Sequence, residues 1–323
     1  MKSMVGYTAG ALIAVGLILL AAFSYYIYSP LPKAPRLSGH ASPRTLQVGR
    51  HLRSYVEYVP AGLPRGAPLV IVLHGWLMTG EMMREMTAYE FDLAADRGRF
   101  VVLYPDAYGR SWYDCRKDRL AKAKQEHVDD VGFVRALIAA EQARRGIDPK
   151  KVFAVGFSGG GHMAMDLAEE YPSPVAGVAV FAANVPVRAE SACPHDTITT
   201  PMMLVEGTDD PINPFHGGEE SVLGLQNDGT EMSAMAGAEA LARRDRIRTP
   251  DTRTILPHRD ADDPTRVEKL TWWRDGKPYI VLFDILGGGH VVPQREYRFP
   301  RLFGRTSHDI DGPKQAIDFF LHR

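Results

Sequence analysis

The sequence predicts an α/β protein: a mostly parallel central sheet with helices on both faces, preceded by an N-terminal transmembrane or signal segment. Three observations carry this expectation. Short apolar, β-branched runs alternate with amphipathic segments, the pattern of strand-helix-strand units. Several of those runs are apolar on successive residues, as strands buried on both faces require. Ahead of them, no charged side chain separates Lys2 from Lys33, and Ala9–Phe23 is almost wholly aliphatic.

The chain has 323 residues, 45% hydrophobic and 24% charged. That composition excludes a disordered, collagenous or disulfide-dense chain. Lys+Arg is 38 against 39 Asp+Glu, a formal net charge of -1. With no local basic block either, nucleic acid is not an expected partner.

Residues 1–28 form the first segment. A helix of roughly 20 apolar residues crosses a bilayer core, and Met4–Tyr28 meets that length. Tyr25, Tyr26 and Tyr28 sit where an interfacial aromatic belt would lie. A cleaved signal peptide is the competing reading. Both send the rest of the chain to the periplasmic or extracellular side, anchored in one case and secreted in the other. Residues 29–43 are rich in Pro and Ser and read as a linker. The folded domain is expected over 44–323. Export also suits the two cysteines, Cys115 and Cys193, because an oxidising compartment allows them to pair. Such a bond would be worth roughly 4–5 kcal/mol in the chain-entropy treatment.

Within the domain, strands are expected at Tyr55–Val59, Leu69–Leu73, Phe100–Tyr104, Val152–Phe157, Gly177–Ala182, Met202–Glu206 and Tyr279–Ile285. Helices are expected at Met82–Arg97, Val131–Arg144, Gly160–Glu170, Glu231–Arg244 and Pro313–Leu321. Asp129 and Asp130 offer a cap and a dipole partner to the second of these. The charged stretch Asp251–Lys277 reads as an extended excursion with a hairpin at Asp275-Gly276. No linker interrupts the alternation, so one domain is expected rather than two.

The chemistry centres on Gly156-Phe157-Ser158-Gly159-Gly160. The pattern G-x-S-x-G is weak alone. Here a buried strand precedes it and a helix of small apolar residues follows, the strand-turn-helix of a nucleophile elbow. The serine then stands at a helix N-terminus, where the dipole favours an oxyanion. A dinucleotide fingerprint, Gly159-x-Gly161-x-x-Ala164, competes for the same residues. It needs an acid at the end of the next strand, and that strand ends Ala182-Ala183-Asn184.

A nucleophilic serine needs a base, and the base an orienting carboxylate, in the chain order Ser, acid, His. After Ser158, the run Met202–Glu206 leads to Asp209-Asp210-Pro211. Either aspartate can serve; Asp210 is favoured because the following proline fixes the turn, whereas Asp209 suits turn capping. His290, after Gly287-Gly288-Gly289, follows the last long strand and is the expected base. His162 and His308 are read as structural. The run Leu69–Leu73 ends in His74-Gly75-Trp76. This places the backbone N–H of Trp76 opposite the elbow, to form an oxyanion hole with that of Gly159, while His74 is a structural hydrogen-bonder.

Together these blocks resemble the esterases grouped with polyhydroxybutyrate depolymerases, feruloyl esterases and acetyl xylan esterases. The further matching blocks are Tyr104-Pro105-Asp106, Ser111-Trp112, Val128–Phe133 and Gly304–Asp311. The resemblance covers roughly residues 50–321. It implies an α/β-hydrolase fold with Ser158 as nucleophile, Asp210 as acid, His290 as base and Trp112 walling the substrate site. The expected function is that of a serine carboxylic ester hydrolase working through an acyl-enzyme. Its substrates would be short-chain hydroxyalkanoate, feruloyl or acetyl-type esters. A peptidase or lactone hydrolase on the same scaffold is the alternative within enzymes, and a silent binding module the alternative outside them. No H-E-x-x-H, phosphate loop or paired C-x-x-C is present, so no metal or cofactor is expected, and membrane contact is expected through the N-terminal segment only.

Overall fold

The computed structural model describes residues 2–117, 121–170, 173–192, 200–222, 224, 227–244, 246–247, 250 and 252–321. In chain order the first elements are α1 (Lys2–Tyr26), β1 (His40–Val48), β2 (His51–Val59), β3 (Leu69–Leu73), α2 (Gly80–Met86), α3 (Glu90–Gly98) and β4 (Val101–Pro105). Then come α4 (Lys122–Gln125), α5 (Asp130–Arg145), β5 (Val152–Phe157), α6 (Gly159–Glu169), β6 (Gly177–Phe181), β7 (Met202–Gly207), β8 (Gly218–Ser221) and β9 (Asn227–Glu231). The last are α7 (Ala234–Arg244), β10 (Thr252–Ile255), β11 (Arg266–Arg274), β12 (Lys277–Leu286) and α8 (Gly312–Leu321).

One large sheet runs β1-β2-β4-β3-β5-β6-β7-β12-β11-β10. The inner strands from β4 to β12 pair in parallel, and antiparallel strands extend both ends. The period of two along each strand divides the core. Leu69, Ile71 and Leu73 pack with Leu137 of α5, Leu167 of α6 and Leu241 of α7. Val70 and Val72 face Met83 of α2, Phe91 of α3 and Phe319 of α8. Strands β3 to β7 are buried along their whole length, which is why their sequences are apolar without alternation. The chain leaves β3 toward β4 on one side and returns to β5 on the other. The resulting reversal is a topological switch point, where open α/β sheets place ligands at the strands' carboxyl ends.

Several expectations need correction. The helix expected over Met82–Arg97 is two helices, because Ala88 and Tyr89 take left-handed φ values of 52° and 59° between them. Apolar periodicity continues across so short a break, so sequence did not reveal it. The helix expected from Glu231 starts at Ala234, with Ser233 Oγ accepting from the Ala236 N–H. The segment expected as a linker to residue 43 gives up its end to β1, which begins at His40 and pairs with Val59 across a turn at Gly49-Arg50. The charged excursion joins the main sheet as β10 and β11. Its hairpin does turn at Asp275-Gly276, with Arg274 opposite Lys277.

For the N-terminal segment, a helix forms over Lys2–Tyr26, with described side chains from Leu12 onward. Among the described residues no helix is long and apolar enough to cross a membrane. The spanning segment expected at 1–28 is therefore not found among them. The foot of α1 rests on the body, with Arg301 4.1 Å from the Tyr25 ring centroid. Cys193 lies outside the described residues, and with it the expected pairing to Cys115.

Candidate active site

Ser158 follows β5 directly and begins α6 at φ 54°, ψ -125°, a region that costs a non-glycine residue of order 1–3 kcal/mol. Its neighbours enforce the strain. A Cβ at Gly156 would lie 2.0 Å from the Gly160 carbonyl oxygen, and one at Gly160 2.3 Å from that of Leu73. Only glycine allows the turn to close so tightly against β3. The Ser158 N–H donates to the Phe181 carbonyl at 2.9 Å, tying the turn to β6.

Across the switch point, the loop after β3 brings Trp76 to this turn. A Cβ at Gly159 would lie 3.8 Å from the Trp76 backbone nitrogen, so the two N–H groups expected to act together are adjacent. The Trp76 ring is 43% exposed and stands at the mouth of the site rather than filling it. His74 is fully buried; its Nε2 accepts from the Ala107 N–H at 3.0 Å and its Nδ1 lies 2.7 Å from the Gly75 carbonyl. Burial holds its pKa down to about 4, so it is a neutral strut, as expected. Trp112 donates from Nε1 to the His74 carbonyl at 2.8 Å, fixing the ring in the cavity wall.

The turn after β7 carries Asp210, and the glycine-rich turn after β12 carries His290. Strands β7 and β12 are parallel neighbours, so both turns meet at one sheet edge. Gly207 has no room for a Cβ, which would lie 2.4 Å from the Gly288 carbonyl oxygen. His290 Nδ1 lies 2.8 Å from Asp210 Oδ2, and both side chains are buried. Asp210 Oδ1 accepts from the N–H groups of Ile212 and Asn213, each at 2.8 Å. Burial pulls the imidazole pKa down, but the charge and hydrogen bond of Asp210 outweigh it and the pKa is raised. Asp209 points to solvent instead, 3.7 Å from Arg305.

Ser158, Gly159, Trp76, Trp112 and His290 all line one cavity of about 370 Å³. Its walls are largely apolar: Met82 and Met86 of α2, Phe157, and Phe299 with Leu302 and Phe303 from the loop after β12. Asp114, Arg116 and Glu220 form its polar corner. Sequence reasoning missed this corner and α2's methionines. Nothing in their spacing marks them, because they reach the site only through tertiary packing. Phe215, six residues after Asp209, packs against the core rather than lining this cavity. His162 and His308, read as structural, lie outside the cavity lining.

Residues 57–235 match the family model described as Phospholipase/Carboxylesterase. The chain is 28% identical over 307 residues to the putative esterase NocK of Nocardia uniformis subsp. tsuyamanensis, covering 91% of this chain and 86% of that one. It is 23% identical over 278 residues to poly(3-hydroxyalkanoate) depolymerase C of Paucimonas lemoignei, covering 78% of this chain and 60% of that one. Among solved structures, acetyl xylan esterase from Aspergillus awamori superposes with a TM-score of 0.58 at 17% identity, covering 86% of this chain and 98% of that one.

Proposed function

From the premise that the chain belongs to the phospholipase/carboxylesterase family of α/β-hydrolases, we propose that it is a serine carboxylesterase working through an acyl-enzyme. The observation that carries this reading is the buried 2.8 Å contact of His290 Nδ1 with Asp210, opening on the same cavity as the strained Ser158. Asp210 orients the ring so that Nε2 is the basic atom. That nitrogen takes the Ser158 hydroxyl proton as Oγ attacks the ester carbonyl. The backbone N–H groups of Trp76 and Gly159 stabilise the oxyanion, each worth about 2.7–4 kcal/mol by analogy with other such donors. The imidazolium returns its proton to the leaving alcohol. Water activated by His290 then releases the acid.

The substrate class we propose is a small or short oligomeric ester of hydroxyalkanoate, feruloyl or acetyl type. It is supported by the relatives' esterase names and by an apolar cavity walled by Trp112 and the methionines. A panel of p-nitrophenyl esters beside the matching anilides tests it. Ester turnover with amides inert is expected; preferential amide cleavage would make the protein a peptidase instead.

A further inference from the structure

One helical turn beyond Ser158, His162 of α6 meets Glu220 of β8 and Glu231 of β9. All three side chains are buried, at 1%, 5% and 1% exposure. Their potential ligand atoms lie within 4.8 Å of one another. His162 Nε2 is 3.6 Å from a carboxylate oxygen of each glutamate, too far for a hydrogen bond. Both ring nitrogens of His162 and both carboxylate oxygens of Glu231 are without a hydrogen-bond partner. Buried polar groups are rarely left so.

The spacing has a specific meaning. Two N or O ligands at about 2.0–2.2 Å from a tetrahedral zinc ion lie about 3.4 Å apart. The observed 3.6 Å separations are near that value and unlike those of a hydrogen-bonded network. Arg116 is bonded by both Asp114, at 2.8 Å, and Glu220, at 2.5 Å. These two bonds hold the Glu220 carboxylate in place beside His162.

We propose that His162, Glu220 and Glu231 bind a divalent cation that accepts mixed imidazole and carboxylate ligands, zinc(II) above all. The ion would fasten the β8–β9 hairpin to α6, and since Glu220 also lines the catalytic cavity, it would fix that wall of the site. The role is structural and independent of the ester chemistry.

The test uses the full chain, stripped with chelator and titrated with zinc chloride. One zinc per chain and a zinc-dependent rise in Tm are expected for the wild type. Losing an outer-shell partner alone typically weakens a site by about 10–100-fold, so His162→Gln and Glu231→Gln are expected to weaken binding by at least about tenfold. Equal binding by wild type and variants would place the ion elsewhere and overturn the proposal, as would a wild type that retains no zinc. If the variants do not fold, zinc-edge anomalous diffraction from the wild type decides. A peak between the three side chains supports the site, and no peak there overturns it.

Discussion

Asp210 and His290 meet at 2.8 Å inside the protein, whereas Asp209, one residue earlier, faces solvent beside Arg305. The turn fixed by Pro211 makes this choice, since Asp210 Oδ1 is pinned by the N–H groups of Ile212 and Asn213. Asp210→Asn is therefore expected to lower kcat on the order of 10³–10⁴-fold, by favouring the wrong imidazole tautomer. Asp209→Asn should stay within about twofold, as exposed charges contribute little. Steady-state kinetics on a p-nitrophenyl ester separates the two.

The raised pKa of His290 gives a pH dependence with a definite sign. Only the neutral imidazole can accept the serine proton, so kcat/KM should fall as pH drops through a value above the ordinary 6.5. Stability runs the other way. A raised folded-state pKa means that folding favours the protonated ring, so this contribution is full below about 6.5 and is lost as pH rises through the folded value. Replacing Asp210 with Asn should move the acid limb of the rate profile to lower pH. An unmoved limb would mean that another group controls it.

Gly156 and Gly159 make a paired test of the elbow. A Cβ at Gly156 would meet backbone at 2.0 Å, while one at Gly159 finds nothing closer than 3.8 Å. Gly156→Ala is expected to cost more than about 3 kcal/mol, the severe end of overpacking. Gly159→Ala should leave Tm nearly unchanged. Urea unfolding followed by circular dichroism measures both.

Arg53 and Asp130 form a buried ion pair at 2.6 Å, which joins β2 to the first turn of α5. Asp130 also accepts from the Tyr113 N–H, two residues from Cys115. Removing only the cation strands a buried carboxylate, so Arg53→Ala is expected to destabilise by about 3–5 kcal/mol. The loss should shrink in Arg53→Ala/Asp130→Asn, where no charge is left unpaired. A double-mutant cycle by chemical denaturation reads the difference.

The inner strands and the elbow were legible because each is local: an unbroken apolar run, then glycines around one serine. Strands β3 and β5 fall where the sequence expects them, residue for residue. Hydrolase chain order restricts where an acid and a base can stand, and the two residues it singles out, Asp210 and His290, lie 2.8 Å apart. The break at Ala88-Tyr89 was not, since two left-handed residues leave helical periodicity intact. Strands β1 and β10 were missed because edge strands expose their side chains, so they carry no apolar signature. The corner formed by Asp114, Arg116 and Glu220 was invisible for another reason. Arg116 and Glu220 lie 104 positions apart, and only the fold brings them together.

The proposed chemistry turns on Ser158 being an activated nucleophile. The most direct measurement treats the folded protein with a fluorophosphonate and maps the adduct by peptide mass spectrometry, with Ser158→Ala alongside. A single adduct on Ser158 is expected, formed at a rate that falls when His290 or Asp210 is replaced, together with ester turnover that Ser158→Ala abolishes. An adduct on another serine, or unchanged turnover in Ser158→Ala, would contradict it.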